Sequence, residues 1–213
     1  MHTKYQTKQS DECLICFQPL LKEVSFVHLM RHVPICPSCM NKFEMIDKHI
    51  DFHHYPLWIP YYYNSFFKTL LFQYKGLYDQ ALKDAILSPI MPCLVHKYQN
   101  HIIVVAPSSK EDNEKRGFSP IETIAKTFSS HVFTGLYKRE KYKQSDLSYE
   151  ERKNVSSKIG IRNGEELKDK KVLILDDVVT SGSTLYTCLK LVLEYQPKSV
   201  ELLVLSTKND AFL

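Results

Sequence analysis

The sequence predicts an α/β protein, a parallel sheet flanked by helices, with a small zinc-binding unit at its N-terminus. Three observations carry this. Cys13-x-x-Cys16 and Cys36-x-x-Cys39 are two pairs separated by nineteen residues, a spacing that suits a structural zinc site. Past residue 100, apolar strand-like runs alternate with helical patterns, which implies parallel strands joined by right-handed crossovers. The run 172–184, Val-Leu-Ile-Leu-Asp-Asp-Val-Val-Thr-Ser-Gly-Ser-Thr, brings two carboxylates to the end of a buried strand, just before a small hydroxylated loop.

The zinc expectation rests on short-range geometry. A Cys-x-x-Cys turn aims two sulfurs at one centre, and two such turns supply four thiolates for tetrahedral Zn²⁺. A redox dithiol needs only one pair, and a chain expected to be cytoplasmic disfavours disulfides. Cys13, Cys16, Cys36 and Cys39 are the expected ligands, with His28 and His32 as bystanders. Met40, Phe43, Met45, Ile46 and Ile50 recur at roughly helical spacing, so a short helix is expected to close this unit. The zinc unit is expected over 1–55, with a core separate from that of an α/β domain over 56–213. Cys93 and Cys188 are expected as core residues.

Residues 56–90 are expected to form a helical linker. Apolar positions 63, 66, 67, 70, 71 and 74 follow the i, i+3, i+4 spacing of an amphipathic helix, and a second helix is expected over 79–87, stopped by Pro89. A strand follows over 102–106. Ser119, Pro120 and Glu122 form a helix start with a capping box, and 131–137 is read as one strand. A second capping-box start at Ser148 predicts a helix to about residue 158. The last strand-helix-strand unit spans 171–175, 184–195 and 200–205.

The carboxyl edge of such a sheet is where ligands bind. Backbone N–H groups at a helix N-terminus favour phosphate, and Thr180, Ser181, Ser183 and Thr184 add hydroxyl donors. Gly182 lets the backbone approach a ligand closely. Asp176 and Asp177 are the expected catalytic carboxylates, suited to ribose hydroxyls directly or through Mg²⁺. No Gly-x-x-x-x-Gly-Lys-Ser/Thr loop is present, which removes a nucleotide-hydrolysing P-loop enzyme from consideration.

The composition agrees with a folded domain. Of 213 residues, 44% are hydrophobic and 24% charged, which excludes disordered, collagen-like and coiled-coil proteins. The net charge of +4 is compatible with a polyanionic partner without requiring one. The longest stretch free of charged side chains ends at Phe67 and is broken by Pro56 and Pro60. It falls short of the roughly 20 apolar residues of a spanning helix, so no membrane insertion is expected. No apolar run follows Met1, so no signal peptide is expected either.

The 172–184 run resembles the phosphoribosyl-pyrophosphate signature of type I phosphoribosyltransferases. With the four-cysteine unit ahead of it, nearly the whole chain resembles the ComF family of bacterial competence proteins. Tyr74-Lys75-Gly76 resembles that family's lysine-glycine pair, and Arg116-Gly117-Phe118 its arginine-glycine-phenylalanine element. Arg139, Gln144, Leu147, Arg152 and Asn154 resemble its spaced arginine-glutamine-leucine-arginine-asparagine stretch. The chain departs from the family at Ala106-Pro107-Ser108-Ser109-Lys110, where a Pro-x-Pro and a basic loop are usual. Ser108, Ser109 and Lys110 are weaker candidates there for holding pyrophosphate. Ser119-Pro120 and the Lys208-Asn209-Asp210 terminus depart as well.

The resemblance implies a type I phosphoribosyltransferase-like fold, structural zinc, and phosphoribosyl pyrophosphate or a nucleotide as ligand, with Mg²⁺. It implies a role in the uptake of transforming DNA beside a helicase-like ATPase. Two functions follow. The first is a competence protein handling incoming single-stranded DNA. The second is a phosphoribosyltransferase of nucleotide salvage, although nothing in the chain names an acceptor base. Lys141, Lys143 and Arg152, interleaved with tyrosines, are the expected contacts to a nucleic-acid backbone. The plain alternative for that segment is a solvated flap over the site.

Overall fold

A computed structural model of the chain describes residues 12–20, 33–139, 159–209 and 212. After the short helix α1 (Pro37–Met40), two strands form a hairpin, β1 (Met45–Phe52) and β2 (Tyr55–Tyr62). The expected helix over 45–50 is therefore a strand. Its burial alternates residue by residue, with Ile46, Ile50 and Phe52 on the covered side. A spacing of four satisfies both a helix face and a strand face, so Ile46 and Ile50 alone could not separate the two. His53 and His54 make the turn with φ of 54° and 71°, and Asp51 Oδ1 accepts the His54 N–H at 2.8 Å.

The first part of the expected helical linker is strand β2. Helices follow: α2 (Ser65–Gly76), α3 (Leu82–Leu87) and α4 (Met91–Tyr98). In α2 the predicted apolar stripe is the buried one, with Phe67, Leu70, Leu71 and Tyr74 inside and Asn64 as N-cap. Helix α4 was not anticipated. Pro92 sits in its first turn, where a missing N–H costs nothing. Cys93, expected in the core, lies exposed on this helix, whereas Cys188 is buried.

The remaining elements are β3 (Ile102–Val105), α5 (Lys110–Arg116), α6 (Pro120–Phe128), β4 (Val132–Phe133), β5 (Leu136–Lys138), β6 (Ile159–Ile161), a 3₁₀ turn (Gly164–Leu167), β7 (Lys171–Val179), α7 (Ser183–Leu193) and β8 (Ser199–Thr207). The strand expected over 131–137 is divided. At Gly135 any side chain would meet the Arg162 carbonyl and the Phe133 ring, and the chain turns there from one sheet to another. Ser119 makes no side-chain cap on α6, so that capping box does not form. The helix predicted from Ser148 lies outside the described residues.

The main sheet has the order β1-β2-β8-β7-β3-β4. All neighbours are parallel except β1 and β2. Alternate residues of the central strands feed two cores, as a sheet covered on both faces requires. Ile103, Leu173, Leu175 and Leu203 pack with α2, α3, α4 and α6. Val104, Val172, Ile174 and Leu202 pack with α7 through Leu185, Cys188, Leu189 and Val192.

The first of these cores also contains Cys13, Ile35, Cys36, Cys39 and Phe43. The Phe43 ring lies 5.3 Å from Tyr61 and 5.1 Å from Phe66. The expectation of separate cores does not hold, because the cysteine unit is seated on the α/β layer. Among the described residues, no helix is long and apolar enough to cross a membrane.

Candidate functional site

Strand β7 continues through Val179, so Asp176 and Asp177 lie within it and their side chains take opposite faces of the sheet. Asp177 is 8% exposed. Its Oδ1 accepts the Val178 N–H at 2.7 Å, and its Oδ2 is ion-paired with Lys75 Nζ from the last turn of α2. Asp176 Oδ1 accepts the Asp177 N–H at 2.8 Å. Burial pushes the Asp176 carboxyl up to about 6, although Lys75 and Lys138 draw it back. Burial brings the Lys75 ammonium down to about 8. Asp176 opposes this, while Arg116, Lys208 and Lys138 reinforce it.

Lys75 is the residue that sequence reasoning left out of the site. Its only signal was its place beside the buried stripe of α2, in the family-like pair with Gly76. Its backbone is clamped: the Lys75 carbonyl accepts Arg116 Nε at 3.1 Å. The neighbouring Tyr74 hydroxyl donates to the Pro120 carbonyl at 2.7 Å, and the Tyr74 ring packs 5.5 Å from Phe118. The Tyr74-Lys75-Gly76 and Arg116-Gly117-Phe118 elements are thus docked on each other. Tyr74→Phe should cost about 1–2 kcal/mol, because a buried carbonyl loses its donor; a urea denaturation midpoint measures this.

The loop from Thr180 to α7 keeps its hydroxyls outward: Thr180, Ser181, Ser183 and Thr184 are exposed and Gly182 is buried. Gly182 has φ +76°, and a Cβ there would lie 3.0 Å from the Phe52 ring and 3.3 Å from that of Phe212. The glycine is thus required by backbone conformation and packing, beyond any approach of a ligand. The Ser181 and Ser183 hydroxyls are 3.0 Å apart, and Asn209 Nδ2 holds the Thr180 carbonyl at 3.0 Å. Loop N–H groups at the start of an eleven-residue helix, ringed by hydroxyls, make an arrangement able to bind an anion.

The other candidates are placed differently. Ser109 caps α5, accepting the Asp112 N–H at 3.4 Å. Lys110 opens that helix, fully at the surface and 3.9 Å from Glu114, and Ser108 is half-buried before it. Acidic residues fill the first turn of α5, which answers its dipole from within. Lys141, Lys143 and Arg152 lie outside the described residues, between β5 and β6, which pair antiparallel.

Mg²⁺ prefers a near-octahedral shell of oxygens. Three of the four carboxylate oxygens are engaged, one of them by an ammonium group, and the two side chains leave the strand on opposite faces. The pair does not fit a bridging divalent cation.

The cysteine cluster does fit a metal. The four sulfurs of Cys13, Cys16, Cys36 and Cys39 lie within 4.8 Å of one another, and those of Cys16 and Cys36 are 3.7 Å apart. Tetrahedral zinc with Zn–S of about 2.3 Å sets sulfur–sulfur edges of about 3.8 Å. Burial alone would push the Cys13 thiol up, but N–H groups of Cys16, Cys36 and Ile15 bring it down to about 7. The Cys36 N–H lies 3.3 Å from its sulfur.

The sequence model of the phosphoribosyl transferase domain matches residues 95–211, more than half of the chain. The chain belongs to the phosphoribosyl transferase domain family. This phosphoribosyl transferase domain includes the carboxylate pair and the 180–184 loop, while Lys75 and the cysteines precede it. The chain is 29% identical over 176 residues to the competence protein ComFC of Streptococcus pneumoniae, covering 78% of this chain and 77% of that one. It is 24% identical to ComFC of Bacillus subtilis, covering 85% and 88%. Among solved structures, a hypoxanthine phosphoribosyltransferase from Staphylococcus aureus overlaps 61% of this chain and 65% of its own, with 19% identity and a TM-score of 0.37. That overlap carries no weight beside the family match and the observed strand order.

Proposed function

We propose that this protein is a competence protein of the cytoplasm that handles incoming single-stranded DNA, with the 180–184 loop as a site for phosphoribosyl pyrophosphate or a nucleotide phosphate. The competence role is supported by the similarity to ComFC proteins over most of both chains. The site reading is supported by one juxtaposition: an exposed hydroxylated loop at a helix N-terminus, a few residues past a carboxylate pair of which Asp177 is ion-paired with Lys75. A phosphorylated sugar meets donors at the loop and an acceptor at Asp176. Zinc on the four cysteines is a structural element in this reading, and a helicase-like ATPase is its partner by family resemblance.

Strand binding should show little sequence preference and weaken steeply with salt as counterions are released. Neutralising Lys141, Lys143 and Arg152 together should reduce the salt slope by up to about 2, at roughly 0.7 per contact on a single strand. Asp176→Asn with Asp177→Asn should spare DNA binding, since it removes only negative charge. A salvage phosphoribosyltransferase predicts the reverse pattern: base-dependent release of pyrophosphate, abolished by the Asp changes and indifferent to DNA. Turnover at ordinary enzymatic rates with any common purine or pyrimidine base would overturn the first reading.

A further inference from the structure

We infer that Lys75 is the resident cation of the carboxylate pair: it claims Asp177, so that the site takes its phosphorylated ligand without a divalent metal. This rests on reading the 180–184 loop as a phosphate site.

Asp177 is almost fully buried, and a buried carboxylate needs a counter-charge. Lys75 Nζ supplies it directly on Oδ2. The ammonium is presented from a backbone held on both sides, by Arg116 on the Lys75 carbonyl and by the buried Tyr74 with its bond to Pro120. Asp177 Oδ1 and Asp176 Oδ1 each accept a backbone N–H. Asp176 therefore keeps one oxygen for a ligand, while Asp177 acts as a positioning residue through Lys75.

Charge points the same way. Arg116, Lys138 and Lys208 all lie within electrostatic range of Lys75, and Lys208 Nζ stands 4.7 Å over the Tyr63 ring. Four cations stand against Asp176, Asp177 and Asp112, which lies 3.9 Å from Arg116, and leave one positive charge. Such a field attracts a polyanion and repels an added divalent cation.

The test is calorimetric titration of phosphoribosyl pyrophosphate into the full zinc-loaded chain, with millimolar Mg²⁺ and in metal-depleted buffer without chelator, which leaves cysteine-bound zinc in place. Wild type is expected to bind with a Kd that agrees within about threefold between the two arms. Lys75→Gln is expected to weaken binding about tenfold or more without metal and to regain most of it in Mg²⁺, which takes the place vacated at Asp177 alone. Wild type that binds only in Mg²⁺ overturns the inference and leaves the phosphate loop standing. Lys75→Gln that binds like wild type without metal overturns it too. No binding in either arm overturns both. Should Lys75→Gln fail to fold, the wild-type comparison decides alone.

Discussion

Replacing Cys36 with serine is expected to abolish metal binding and to lower the unfolding midpoint of the whole chain, not of its first fifty residues alone. Structural zinc on four thiolates contributes folding free energy directly, with apparent values of about 10–16 kcal/mol in small zinc units. Cys36 is buried, its N–H lies against the Cys13 sulfur, and its own sulfur is 3.7 Å from that of Cys16. Because Cys13, Ile35, Cys36, Cys39 and Phe43 share one apolar cluster with Tyr61, Phe67 and Leu70, losing the metal uncovers the face of α2 and β2. The loss should reach about 3 kcal/mol or more, a large part of a typical domain's stability. Metal analysis by mass spectrometry and thermal denaturation followed by circular dichroism check it. An α/β transition at the wild-type temperature, in a metal-free variant, would show that the two parts do not share their stability.

Gly182→Val should abolish phosphate binding at the loop. Valine at φ +76° is strained by about 1–2 kcal/mol on conformation alone. Its Cβ would then press on the Phe52 ring at 3.0 Å and on Phe212 at 3.3 Å, so the 180–184 segment must move. The Tyr186 N–H donates to the Gly182 carbonyl at 2.8 Å, and that first turn would shift with it. Affinity for phosphoribosyl pyrophosphate is expected to fall about a hundredfold or more, close to 2.7 kcal/mol, as read by calorimetry. Undiminished affinity in a folded variant would place the phosphate site elsewhere.

Much of this was legible in the residues because the signals were local. The cysteine pairs carry their geometry in two short turns, and the sulfurs do converge. The apolar stripe at 67, 70, 71 and 74 is the buried face of α2. The 172–184 run is a buried strand, a hydroxylated turn and a helix start. Each depends on spacing within a few residues, where backbone geometry leaves few choices.

What the tertiary structure decided lies at long range. Ile46 and Ile50 fit either period, and the β1 register against β2, which itself pairs with β8, settles them as strand. Phe43 joins the cysteines to Tyr61 and Phe66 by ring packing that no spacing announces. The meeting of Lys75 with Asp177, about 100 residues apart in the chain, depends on α2 packing over the sheet face to which Asp177 points. Sequence alone determined that two carboxylates stand on one buried strand shortly before a hydroxylated loop, and the structure carries that strand on through Val179. Only the packed helix decided which of those carboxylates is paired with a cation, because the desolvation of a buried charge is answered by whichever cation the fold brings to it.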